Sequence, residues 1–325
     1  MTLALFIGVV SFVVLVPWGG WLIRWLLERG IGKHIRVDGP ATHQMKTGTA
    51  TMGGLYFVGG SVIICAILAV LGHPSVLLPM AAMAAFGLLG AVDDWKGLHD
   101  KTGVGLLARW KFPIQWGTAL AVALLLYWLS PSHPFIIPGT GRSIELGWWA
   151  VVIAAPMLVF FSNAVNLTDG QDGLAGGMAA LAFGAFGLVA LIGGQISLSV
   201  FCFVVVGSLC AFLWYNAHPA RIFMGDFGSE ALGAGLVAIA MLTGYWILLP
   251  VIGLVFVIEA LSVMLQVGYY KFTKRRYGEG RRILRMSPLH HHYELRGTPE
   301  ELVTVRFWLA TAICCAVGVA WAAMP

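Results

Sequence analysis

Ala91-Val92-Asp93-Asp94-Trp95-Lys96 closes a run, Thr47 to Val92, that holds no Asp, Glu, Lys or Arg. Ionised aspartate at the centre of a bilayer is costly, so two in succession belong at a membrane surface or in a wet, protein-lined cleft. Such a pair can hold a divalent cation or move a proton. It can also do no more than end a transmembrane helix and face water. The rest of the chain bears on that choice.

Of 325 residues, 59% are hydrophobic and 11% charged, against about 25% charged in a typical soluble domain. This composition predicts an all-α polytopic membrane protein, one integral membrane domain over residues 1–325, and excludes a soluble enzyme on an anchor. Cys65, Cys202, Cys210, Cys314 and Cys315 all fall in apolar runs without metal-ligand spacing, and are read as small hydrophobes. The first apolar run lacks a basic leader and is expected to be retained as a helix rather than removed as a signal peptide.

A spanning helix needs roughly 20 apolar residues. Ten segments are predicted: Leu3–Leu22, Gly53–Leu71, Val76–Val92, Phe112–Leu129, Gly147–Ser162, Leu174–Ile192, Ile196–Tyr215, Ala231–Leu242, Trp246–Tyr270 and Val303–Ala323. Gly72-His73-Pro74, Gly193-Gly194-Gln195 and Thr243-Gly244-Tyr245 divide runs too long for one helix. Of the 20 Lys and Arg residues, Arg142 alone falls in a loop after an even-numbered segment. By the positive-inside rule the loops after segments one, three, five, seven and nine are cytoplasmic and both termini lie outside. Of the 15 acids, only Glu145 and Glu259 lie away from that face. Basic cytoplasmic loops are ordinary; acids concentrated in short ones are less so.

The five inward loops carry the candidate chemistry. The first, Asp38 to Gly54, has hydroxyl and small residues around Lys46 just before a helix, a setting able to cradle phosphate, although the order of a Walker A loop is absent. The second has Asp93 and Asp94, then Lys96, Lys101, Arg109 and Lys111. Acids bracketed by cations suit a metal-bound, phosphate-bearing substrate. The third, Asn163 to Gly177, interleaves Asn163, Asn166, Asp169 and Asp172 with glycine, giving oxygen donors on a turn-rich backbone. The fourth, Asn216 to Glu230, sets Asp226 between Gly225 and the Phe227-Gly228 pair and offers Phe223 for stacking on a planar base. The fifth, Lys271 to Glu301, is the most basic and contains His290-His291-His292. Neighbouring side chains diverge, so these histidines should meet different partners. Glu259 and Gln266 share a helix face in the ninth segment. A membrane-embedded glutamate should face the bundle interior and a partner.

Together these loops resemble the phospho-N-acetylmuramoyl-pentapeptide-transferase family, within the polyprenyl-phosphate N-acetylhexosamine-1-phosphate transferases. The likeness rests on DGPATHQMKTGTATMGG, DDWKGLHDKTGVGLLARWK, NAVNLTDGQDGLAGG, NAHPARIFMGDFGSEALG and RMSPLHHHYELRGTPE, in that order. It implies transfer of the phospho-sugar of UDP-MurNAc-pentapeptide to undecaprenyl phosphate, giving lipid I and UMP. The reaction would need Mg²⁺ and take place on the cytoplasmic face of the bacterial inner membrane, where membrane lipid surrounds the protein. A second copy of the chain is a candidate partner, and no nucleic acid is expected. Carried over by motif, Asp93, Asp94, Asp226 and His290 match the catalytic set, with Asp226 the metal ligand. Asn163, Asn166, Asp169, Asp172, Asn216 and Phe223 match the nucleotide and substrate region, and Lys46, Thr51, Arg109, Gln266 and His291 further binding positions. The chain departs from the family's usual pattern at Ala50, where proline is common, and at Gly97, where lysine is common, with Lys96 beside it as a substitute.

The mechanism expected is direct displacement, with attack of a carrier phosphate oxygen on the β-phosphorus, against a rival two-step route through an aspartyl-phosphate. Two other functions compete: the same chemistry on UDP-GlcNAc, and a lipid transporter that makes no bond. A transport path needs polar groups near the midplane, where these boundaries place Glu259 alone among the acids.

Overall fold

A computed structural model describes residues 2–32, 48–100 and 105–324. Its long helices are α1 (Thr2–Glu28), α2 (Gly54–Val70), α3 (Leu77–His99), α4 (Ala108–Leu129), α5 (Trp149–Thr168), α6 (Leu174–Ile192), α7 (Ile196–Asn216) and α8 (Gly225–Thr243). A short turn α9 (Leu249–Ile252), then α10 (Leu254–Tyr277), the brief α11 (Leu289–Glu294) and α12 (Glu300–Ala322) complete the chain. Among the described residues nine helices are long and apolar enough to cross a membrane, and α2 is a shorter apolar helix. The expected helical membrane architecture is therefore present.

The core forms around α8, which packs most extensively on α3 and α5. Lipid tails give apolar side chains no preference for one another, so such contacts rely on close backbone approach at small residues. A Cβ on Gly233 of α8 would strike the Phe161 carbonyl of α5, and one on Gly90 of α3 the Asp226 carbonyl of α8. Gly54 of α2 meets Gly228 of α8 in the same way, and Gly207 of α7 meets the Gly8 carbonyl of α1. Large apolar side chains such as Phe6, Val70, Leu88, Trp214 and Ile313 are left on the outside, the side that lipid would wet.

Several helix boundaries differ from the sequence reading. Helix α3 continues past Asp93-Asp94 to His99, and α8 begins at Gly225 rather than near Ala231. In both cases charged residues were read as helix-ending because their tertiary partners are invisible locally. The ninth segment is broken: a 3₁₀ turn over Trp246–Leu248 and α9 precede Gly253, and α10 then runs on to Tyr277.

The proline-rich stretch after α4, expected to be a loop, forms an antiparallel hairpin of β1 (Pro134–Ile137) and β2 (Arg142–Glu145), with Pro134 opposite Glu145 and Ile137 opposite Arg142. It ties one end of the bundle together. The Ile136 N–H donates to the Gly244 carbonyl (2.9 Å), Trp246 Nε1 to the Pro134 carbonyl (3.0 Å) and Trp321 Nε1 to the Pro138 carbonyl (3.1 Å). Exposed Trp128, Trp148 and Trp149 gather at this end, and Trp95, Trp110 and Tyr277 at the other, as aromatic belts at two interfaces would.

Candidate active site

At the end of the bundle away from the hairpin, α3, α4 and α8 converge on one ammonium group. Lys111, in the first turn of α4, places Nζ 2.7 Å from Asp93 Oδ2, 2.6 Å from Asp226 Oδ2 and 2.8 Å from Glu230 Oε1. Asp226 and Glu230 stand four residues apart on α8, so they share a face. The second Asp226 oxygen accepts Asn166 Nδ2 at 2.7 Å, and that amide also donates to Ser229 Oγ at 3.0 Å. The second Asp93 oxygen accepts the Leu106 N–H. Glu230 is 1% exposed; its Oε1 is paired with the Lys111 ammonium, and its Oε2 has no hydrogen-bond partner among the described residues.

Asp94 faces the other way. Its two oxygens accept the backbone N–H groups of Asp226 and Phe227, each at 3.0 Å, so it caps α8 from outside that helix. Gly225 precedes this cap at φ +70°, and a Cβ there would collide with the Asp94 carboxylate. Only glycine meets both demands. Asp94 thus sets the position of Asp226 rather than joining the cation cluster.

The α5–α6 turn links this cluster to the histidines. Four residues beyond Asn166, Gly170 lies against His290, and a Cβ there would overlap Nε2. His290 and Glu259 are both fully buried, with Nδ1 2.8 Å from Oε2. The His291 ring lies tilted at 58° against that of His290, with centroids 4.2 Å apart, and pairs with Glu294 at 3.3 Å. His292 Nδ1 accepts the Arg285 N–H. The three histidines therefore meet different partners, as side-chain divergence requires.

Asp172 belongs to a second group. Its carboxylate accepts His218 Nδ1 and the Ala220 N–H, both at 3.0 Å, while its own N–H donates to Glu300 Oε1 at 2.7 Å. Ligand atoms of Asp172, His218 and Glu300 lie within 4.8 Å of one another. They border a cleft of about 620 Å³ that also touches Thr49, Glu294 and Thr298.

The remaining candidates divide by role. Asn216 accepts the Gly173 N–H and donates to the Ile222 carbonyl, and so fixes two loops. Asn163 holds Gln115 Oε1 at 2.8 Å, and Gln266 binds the backbone of Ile283 and Leu284. Thr51 is buried beside the Phe223 segment, whose backbone pairs with Ala50 and Gly53. Phe223 is half-buried and Arg109 exposed. Asp169 ends α5, its N–H donating to the Val165 and Asn166 carbonyls. Lys46 lies outside the described residues.

Residues 76–244 match the profile of glycosyl transferase family 4. A phospho-N-acetylmuramoyl-pentapeptide-transferase of Chloroflexus aurantiacus is 46% identical over 332 aligned residues, covering 99% of this chain and 90% of that protein. Its namesake in Bacillus subtilis is 42% identical over 319, covering 97% and 96%; that of Geobacillus thermodenitrificans is 43% identical over 318, covering 95% of each. The chain belongs to the phospho-N-acetylmuramoyl-pentapeptide-transferase family.

In this family member, sequence reasoning passed over two residues of the cluster. Lys111 was named only as one of four cations bracketing Asp93-Asp94 and not as a site residue, and Glu230 only as the end of a loop. The signal for Glu230 was its i, i+4 spacing from Asp226. Lys111 carried none beyond proximity to Asp93-Asp94. Lys96, beside the departure at Gly97, is exposed; the cation that meets the acids is Lys111.

Proposed function

We propose that this chain transfers phospho-MurNAc-pentapeptide from UDP-MurNAc-pentapeptide to undecaprenyl phosphate, forming lipid I and releasing UMP. The observation that carries this reading is near-full-length identity to proteins of that name. The ten apolar helices, including α2, are taken as ten spans, with the acid-bearing end facing the cytoplasm of a bacterial inner membrane and both termini outside. The charge bias of the loops supports that orientation.

The cluster around Lys111 suits Mg²⁺. Asp93, Asp226 and Glu230 supply hard oxygen donors that meet at a single ammonium, and Glu230 Oε2 is buried with no hydrogen-bond partner among the described residues. The group at Asp172 suits it less, because a nitrogen is among its ligands and its carboxylate oxygens already hold backbone N–H groups. Asp226 would hold the metal, with Asp93 and Glu230 beside it. When bound, Mg²⁺ neutralises diphosphate charge and stabilises the leaving UMP.

The chain's own groups divide the remaining work. Asp93 orients the carrier phosphate, or takes its proton, as that oxygen attacks the β-phosphorus; the bond to the UMP oxygen breaks as the new one forms. Lys111 supplies positive charge between the two phosphates. Asp94 and Asn166 hold Asp226 in place, and His290 of α11, packed against the α5–α6 turn, steadies the diphosphate. Phe223, Thr51, Asn163, Asp169, Asp172, Asn216, Arg109, Gln266, His291 and Lys46 line or support the nucleotide and carrier sites.

UMP release by purified protein tests the reading. It should require both UDP-MurNAc-pentapeptide and undecaprenyl phosphate, and fail with UDP-GlcNAc. A stoichiometric burst of UMP without the carrier would replace direct displacement by the two-step route. Carrier movement without UMP would point to a transporter.

A further inference from the structure

Glu259 is the one acid the sequence placed deep in the membrane, and the structure gives it a single side-chain partner among the described residues, His290. Both residues are fully buried. Glu259 Oε1 and His290 Nε2 have no hydrogen-bond partner there. A buried ionisable pair is a poor way to hold two helices together, since well-packed apolar residues do so equally well or better. Orientation is what the pair does achieve. With Glu259 ionised, the shared proton sits on Nδ1, so the ring has one tautomer and one direction. Nε2 then points at Gly170, where any Cβ would overlap it. That turn directly follows α5, whose Asn166 holds Asp226.

We propose that Glu259 is a positioning residue: it accepts the Nδ1 proton of His290 and so fixes the ring's direction, and in the imidazolium form, with a second proton on Nε2, that nitrogen donates to a diphosphate oxygen of the sugar nucleotide as the leaving phosphate gains negative charge. This rests on the reading of His290 given above. Outer-shell groups that orient a metal-ligating histidine contribute about 10–100-fold, and an effect of that order is expected for this orienting carboxylate.

The test is a double-mutant cycle on the full-length enzyme in detergent. It measures kcat and KM for UDP-MurNAc-pentapeptide together with the melting temperature. Glu259→Gln should lower kcat by about 10–100-fold with KM changed less than about 3-fold. In a His290→Ala background the same change should cost less than about 2-fold, because coupled residues are not additive. Should Glu259→Gln not fold, Glu259→Asp, which keeps the charge but withdraws the carboxylate by one methylene, carries the same cycle. Parental kcat in the Glu259 variant, or its full cost in the His290→Ala background, would overturn the inference alone. Parental activity in His290→Ala would overturn the reading of His290 and this inference with it.

Discussion

Asp94 of α3 holds Asp226 of α8 by its backbone, not its side chain: the Asp94 carboxylate accepts the N–H groups of Asp226 and Phe227, each at 3.0 Å. Two adjacent aspartates on one helix thereby take different tasks. The Asp93 side chain joins the cation cluster, and Asp94 sets where that cluster's α8 members stand. Successive helical residues point about 100° apart, so a consecutive pair can serve a site and its scaffold at once.

Asp94→Ala should therefore lower stability as well as activity. Losing a cap typically costs about 1 kcal/mol, and hydrogen bonds to a charged group about 1.5–3 kcal/mol, so about 2–4 kcal/mol is expected. Asp94→Asn, which keeps one acceptor, should cost about 1 kcal/mol. Thermal unfolding in detergent with and without Mg²⁺ checks this. A stable Asp94→Ala with no activity would instead place the carboxylate in the chemistry.

Lys111→Met should leave Asp93, Asp226 and Glu230 without their ammonium. Removing one partner of a buried ion pair costs about 3–5 kcal/mol, reduced here because Lys111 is 19% exposed. About 2–3 kcal/mol is expected in the presence of a chelator. Millimolar Mg²⁺ should restore much of this, since a divalent ion can take the place of the lost charge, whereas kcat should stay at least about 100-fold down, the loss of about 2.7 kcal/mol of transition-state stabilisation. Unchanged melting of Lys111→Met in chelator would show that the three acids do not depend on this cation.

What the sequence could show, and what it could not, follows from the range of each signal. Apolar run length and the spacing of breakers are local, and the helices they predicted are present, with α7 matched almost to the residue. The ends of α3 and α8 were misplaced because Asp93, Asp226 and Glu230 have tertiary partners, Lys111 shared by all three with Asn166 and Leu106 beside it, and Asp94 is held by the α8 backbone. Those partners lie far along the chain. The hairpin over Pro134–Glu145 was missed for a related reason: its hold on Gly244 and Trp246 is tertiary. Resemblance supplied Asp226 and His290 as a set, but that Lys111 and Glu230 meet those acids shows only where the helices come together.

Gly90→Ala should be among the most damaging small changes in the protein. Its Cβ would run into the Asp226 carbonyl and come within 2.6 Å of the Phe227 nitrogen. Those are backbone atoms of the most buried spanning helix and cannot rotate away. Overpacking a tight contact costs about 1–3 kcal/mol, and the upper end applies where backbone must move. Activity should fall further than stability, because α3 carries Asp93 and α8 carries Asp226. Gly117→Ala, where a Cβ meets nothing within 4 Å, is the matched control and should melt and turn over like the parent.

Asp226→Asn gives the sharpest test of where the metal sits. The amide keeps the size of the carboxylate and can still accept from Asn166, but it loses a charge and a hard donor. If Asp226 is the principal ligand, the Mg²⁺ concentration for half-maximal UMP release should rise at least about 10-fold, the equivalent of about 1.4 kcal/mol of binding. Glu230→Gln should give a smaller rise. The paired variant Asp172→Asn changes the other carboxylate group, with His218 and Glu300 around it. It should leave the Mg²⁺ requirement unchanged while raising KM for the sugar nucleotide. Measured across a Mg²⁺ titration, the reverse pattern would move the metal from the Lys111 cluster to the cleft at Asp172, and would make Lys111 itself the cation that Asp226 exists to hold.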